Sequence, residues 1–150
     1  MSRTFKLYIA MLATFLAVDS LWLGVVARGF YRQHLGYLLA PQATLWAALA
    51  IYLLLVLGVT VFAVLPGLQA QALSLTLRRA ALFGFIAYAT YDLTNQATVR
   101  DWPLIVTVVD IAWGTLLSTA VGAVGYYAGT RQDLVYSRQT AMAEDTPLRK

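Results

Sequence analysis

Four long apolar runs separated by short polar stretches set the pattern of the chain: about Leu7 to Ala27, Thr44 to Leu65, Ala80 to Ala97 and Leu104 to Tyr127. Each approaches the roughly 20 residues that a helix needs to cross a bilayer core. The punctuation fits these bounds. Pro41 precedes the second run, Pro66-Gly67 ends it, Arg78-Arg79 opens the third, and Asp101-Trp102-Pro103 reads as a cap ahead of the fourth. The pattern predicts an all-α fold, an integral membrane bundle of four transmembrane helices over residues 1–130. A polar tail of mixed charge follows over 131–150 and is expected to be partly disordered. Between the first two runs, Arg28 to Ala40 alternates aromatic and basic residues. That pattern suits a short interfacial helix on the outer surface, or an ordinary loop with aromatic anchors. Arg3 and Lys6 ahead of the first run, with Val25-Val26-Ala27 at its end, also outline a signal peptide. Asp19 and Trp22 interrupt its apolar stretch and argue for a retained span.

Composition sharpens this picture. Of 150 residues, 60% are hydrophobic and 12% charged, where a soluble domain carries about 25% charged residues. So short a chain cannot enclose that much apolar surface in a water-soluble core, which makes lipid its solvent. The absence of cysteine removes disulfides, thiolate catalysis and cysteine-held metals. His34 is the single histidine, so no histidine-rich metal site is expected, and no haem, flavin or nucleotide motif is visible. The net charge is +4, yet the basic residues sit at the ends of apolar runs, as orientation signals rather than a nucleic-acid surface. With the N-terminus inside, the cytoplasmic segments hold Arg3, Lys6, Arg78, Arg79, Arg131, Arg138, Arg149 and Lys150, and the outer ones only Arg28, Arg32 and Arg100. Both termini are therefore expected in the cytoplasm. Trp46 and Trp102 fall near the outer boundary, as an aromatic belt predicts.

Three of the seven acidic residues, Asp19, Asp92 and Asp110, fall inside the predicted spans. An ionised carboxylate at the bilayer centre costs about 2.5–3.5 kcal/mol on insertion scales, so such groups face a protein interior. Counted at 1.5 Å per residue, all three lie on the order of 7–12 Å below the outer boundary, in one layer on three helices. On the fourth run Asp110, Gly114, Ser118 and Gly122 follow at steps of four, a face that permits close helix approach. That face suits packing within the bundle or a homo-oligomer through the fourth helix. On the third run Gly84, Tyr88, Asp92 and Asn95 share a face, and Asp-x-x-Trp occurs twice, as Asp19–Trp22 and Asp110–Trp113. Each indole lies one turn from a carboxylate, placed to donate to it or to wall a pocket. The second run has no ionisable residue and is expected to be a lipid-facing packing helix.

Three readings follow. The acids can be structural, protonated and bonded across helices to Asn95, Tyr88, Tyr91 or the tryptophans. They can form an active site open to the outer leaflet, in a small enzyme or accessory subunit acting on a lipid or apolar substrate. Asp92 then does the chemistry, Asn95 orients it, Asp19 or Asp110 tunes it, and Trp22, Trp113, Tyr88 and Tyr91 shape the slot. They can also hold a proton or hard cation in an oligomeric transporter. His34, Arg28 and Arg32 lie on the outer side, where they either roof the cluster or are ordinary surface residues.

The segments Asp19-Ser20-Leu21-Trp22-Leu23-Gly24, Gly29-Phe30-Tyr31 and Leu35-Gly36 form one half of a recognisable pattern. Tyr88 to Asn95, Trp102-Pro103 and Asp110-Ile111-Ala112-Trp113-Gly114 complete it. Over about residues 5 to 128 the chain resembles a family of small bacterial inner-membrane proteins catalogued as domain of unknown function 2177. The resemblance implies four helices in a bacterial cytoplasmic membrane; it brings no reaction and no catalytic residues.

Overall fold

The structure, a computed structural model, describes the backbone of residues 3–40 and 42–144 and the side chains of 4–40 and 42–131. Pro41, and residues 145–150 of the tail, lie outside the described residues. The described part is helical, without a strand: α1 (Arg3–Leu21), α2 (Arg28–Leu35), α3 (Leu45–Val59), α4 (Leu65–Gln69), α5 (Leu73–Thr98) and α6 (Leu104–Glu144). A π-helical turn over Trp22–Val26 prolongs α1, and another over Thr60–Val64 joins α3 to α4.

Three continuous helical stretches, Thr4–Val26, Leu45–Gln69 and Leu104–Arg131, are long and apolar enough to cross a membrane. The fourth long helix, α5, has 26 residues but carries Arg78, Arg79, Asp92, Asn95 and Gln96, which lower its apolarity. It packs most extensively along α6. The first run packs into the bundle. Leu7, Met11 and Phe15 of α1 share one buried core with Val56 and Val59 of α3, Ala63 and Val64 of the π turn, Ala80 of α5, and Leu117 and Val121 of α6.

Several expected boundaries move. Pro66-Gly67 does not end the second span, because the helix continues to Gln69. Proline in a first helical turn gives up an N–H that has no partner there, and the wide turn just before it makes Leu65 a fresh start. Gly67 is needed for another reason: a Cβ there would run into Thr76 Oγ1 of α5. Arg78-Arg79 does not open the third helix either. The chain turns at Gln71, with φ of 50°, and α5 starts at Leu73. Arginine is a good helix former, so both sit exposed on the early turns. Over the part of the tail that is described, α6 continues to Glu144.

The small-residue face of α6 meets α5. A Cβ on Gly84 would come within 2.5 Å of the Gly114 carbonyl oxygen and of Ser118 Oγ, and one on Gly122 within 2.8 Å of the Ala80 Cβ. Opposite the α4–α5 turn, α2 lies over the junction of α5 and α6. Leu35 packs there with Trp102 and Val106, flanked by Phe30, Tyr31 and Val99. Trp102 is therefore no belt residue. It is 9% exposed, and its indole donates to Thr107 Oγ1 at 3.1 Å, while Thr107 donates to the Gln96 side-chain carbonyl. Burying an indole calls for such a partner. Trp46, at 76% exposed, does stand on the outside of the bundle.

Candidate functional site

Asp19 is 5% exposed near the end of α1, at the level where α1, α3 and α6 meet. Both oxygens are engaged. The Tyr52 hydroxyl of α3 donates to Oδ2 at 2.9 Å, and the Trp113 indole N–H of α6 donates to Oδ1 at 3.0 Å. One carboxylate thus ties three helices through two neutral donors, which suits an acid in an apolar surrounding. Tyr52 also corrects the expectation for the second span: α3 is not merely a lipid-facing packing helix, since its tyrosine reaches into the polar centre.

Asp110 is half-buried on α6, and its Oδ1 accepts a hydrogen bond from the Tyr31 hydroxyl of α2. Tyr31 in turn accepts from the Trp22 indole N–H at 3.3 Å. Burial, followed by the hydrogen bond to Asp110, pushes the Tyr31 hydroxyl well above the usual tyrosine range. The two Asp-x-x-Trp segments therefore cross over. Neither indole serves the acid one turn away: Trp113 donates to Asp19, and Trp22 reaches Asp110 only through Tyr31. The indoles themselves stack, with centroids 4.2 Å apart and planes 8° from parallel. This stacked pair links α1 to α6 and holds both donors in place.

Asp19 and Asp110 line one cavity of about 590 Å³, within the range of small-molecule sites. Tyr88, Tyr91 and Trp113 line it too, as do Tyr31 and Tyr52. Its apolar wall comes from Leu23, Leu35, Leu39, Ile51, Leu55 and Ala87, and two cations, Arg28 and Arg32, complete the lining. Of the eight side chains singled out in the sequence, five lie on this cavity. Trp22 backs it through the stack on Trp113. Asp92 and Asn95 are not in its lining. Asp92 is fully buried at 0% exposed, with neither oxygen hydrogen-bonded, and no hydrogen bond from Asn95 orients it. His34 contacts the Phe30 backbone carbonyl at 2.9 Å and is not in the cavity lining. Among the described residues no group of three or more histidines, cysteines or acids is arranged to hold a metal ion.

Tyr31 and Tyr52 escape a sequence reading because a tyrosine in or beside an apolar run looks like an interfacial anchor. The available signal is the spacing of α2. Phe30, Tyr31 and His34 fall on successive turns with Leu35, which gives a short helix one face to lay on the bundle.

The chain matches, over residues 4–127, the family described as "Predicted membrane protein (DUF2177)", and it belongs to that family. No curated protein and no solved structure matches it.

Proposed function

We propose that this DUF2177 membrane protein is a small enzyme, or the accessory subunit of one, that receives a lipid-like molecule in the cavity between α1, α2, α3, α5 and α6. One observation carries this reading: two intramembrane carboxylates, Asp19 and Asp110, line a single cavity whose remaining wall is largely apolar. The chemical role falls to Asp110. It accepts one hydrogen bond, from Tyr31, and keeps its second oxygen for a substrate proton. Tyr31, coupled to Trp22, positions that carboxylate and holds a proton beside it. Asp19, with both oxygens already bonded, serves as a clamp on α1, α3 and α6.

In this reading α5 crosses as a fourth span beside α6, both termini face the cytoplasm of a bacterial inner membrane, and the cavity lies towards the outer leaflet. The excess of basic residues at the opposite end of the bundle supports that orientation. The test is mass spectrometry of lipids and small molecules that co-purify in native bilayer patches with the wild type and with Asp110→Asn. Equal folding is checked first by thermal unfolding. A species retained by the wild type and changed in amount or chemical form in the variant is the expected result. Identical profiles from two well-folded proteins would remove the enzymatic reading.

A further inference from the structure

The charges around the cavity are sorted by sign. Its two carboxylates are occupied by neutral donors: Asp19 by Tyr52 and Trp113, Asp110 by Tyr31. Its two cations are not so occupied. Arg28 and Arg32 line the cavity from α2, are exposed, and make no ion pair among the described residues. Four residues apart on a helix, they present two guanidinium groups on one face. Leu23, Ile51 and Leu55 form the apolar wall, and Leu23 and Ile51 are themselves exposed, so the wall continues onto the outside of the bundle.

We propose that the ligand of this cavity is an amphiphile with an anionic headgroup, a phosphate or a carboxylate. Arg28 and Arg32 grip the headgroup, and the chain lies along Leu23, Ile51 and Leu55. The proposal rests on the reading of the cavity as a substrate site and adds the substrate's chemical class. Guanidinium groups match planar or tetrahedral oxyanions with paired N–H donors. A cationic headgroup would meet two cations that make no ion pair among the described residues, while Asp19 has both oxygens bonded and Asp110 one. A free inorganic anion would leave the apolar wall unused.

The test uses the full chain in an uncharged maltoside detergent, with binding read from tryptophan fluorescence, since Trp113 lines the cavity. The probes are dioctanoyl phosphatidic acid, dioctanoylglycerol and inorganic phosphate. The wild type is expected to bind the phosphatidic acid about tenfold or more tightly than the diacylglycerol, as a charge-assisted contact implies. Arg28→Gln with Arg32→Gln should reduce that preference to within roughly twofold. Equal affinity of the wild type for the two lipids overturns the headgroup assignment and leaves the cavity reading standing. Inorganic phosphate binding as tightly as the phosphatidic acid overturns the amphiphile. Failure of both lipids to bind overturns the inference together with the reading it rests on. These wild-type comparisons decide the matter without any variant.

Discussion

Asp19 shows how an acid is retained in a hydrophobic bundle: it accepts from Tyr52 and Trp113 and so saves two donors from burial without a partner. Asp19→Ala should therefore destabilise the protein by more than loss of one contact, since each orphaned donor costs about 1–3 kcal/mol. Asp19→Asn keeps one acceptor oxygen and should lie between the alanine variant and the wild type in thermal unfolding in detergent. Equal melting temperatures for all three would remove the clamp role. Tyr31 gives a second prediction, with a definite sign. Burial and the Asp110 bond raise its hydroxyl above the ordinary value of 10.0. Above that value the unfolded chain releases this proton while the folded chain still holds it, so stability falls as pH rises. Tyr31→Phe lacks this titration. It should be less stable than the wild type at neutral pH by about 1 kcal/mol, with the gap narrowing as pH climbs past 10.0; a gap independent of pH would contradict the coupling. Of these side chains the sequence exposes the acids, because an aspartate in an apolar run stands out. The hydroxyls that satisfy them stay hidden, because which tyrosine reaches which acid depends on the rotation of each helix about its axis. The same gap explains Asp92. Counting residues fixes its height in the bundle but not its azimuth, and it lies off the cavity that Tyr88, one turn away, does line.

Between elements, the contact that sets the height and spacing of the site is the close approach of α5 and α6. Gly84, Gly114 and Gly122 make it possible, and Gly114 leaves the room that the ring of Tyr88 occupies. That link runs from packing to function, because Tyr88 is a cavity residue placed by a glycine on the neighbouring helix. Gly84→Ala would press a methyl group against the Gly114 carbonyl and Ser118, and overpacking of this kind costs about 1–3 kcal/mol. Gly24, in the π turn after α1, has nothing within 4 Å of a built Cβ, so Gly24→Ala should leave stability unchanged or slightly raised. Thermal unfolding of the two variants side by side checks the contrast; matching behaviour would mean that α5 and α6 are not packed through this face. The steps of four on α6 reveal this seam in the sequence. The helix bounds are less legible, since Pro66 and the two arginines are tolerated where local rules place a break, a proline by the register of a π turn and the arginines by their exposure.

At the scale of the whole molecule, the site has a side. Arg28, Arg32 and Arg100 lie at the end of the bundle that carries α2 and the α5–α6 turn, and Arg78 and Arg79 lie towards the other end, near the α4–α5 turn. In the proposed orientation, which the bias of basic residues supports, that second end faces the cytoplasm, and the leaflet from which a lipid-like ligand enters follows from it. The chain contains no cysteine, so single cysteines can report sidedness without background labelling. Gln33 on α2 and Gln71 in the α4–α5 turn are exposed and separated by the Leu45–Gln69 stretch. Gln33→Cys should react with a membrane-impermeant maleimide in intact cells, and Gln71→Cys only after the membrane is opened. Arg100→Cys, beyond the end of α5, then decides whether that polar helix crosses. Reaction from the same side as Gln33→Cys makes α5 the fourth span, held in lipid by α6 against its Asp92 face. Reaction from the side of Gln71→Cys would mean that α5 does not cross. The reverse pattern for Gln33 and Gln71 would invert the bundle and move the cavity, with its two arginines and two aspartates, to the cytoplasmic leaflet.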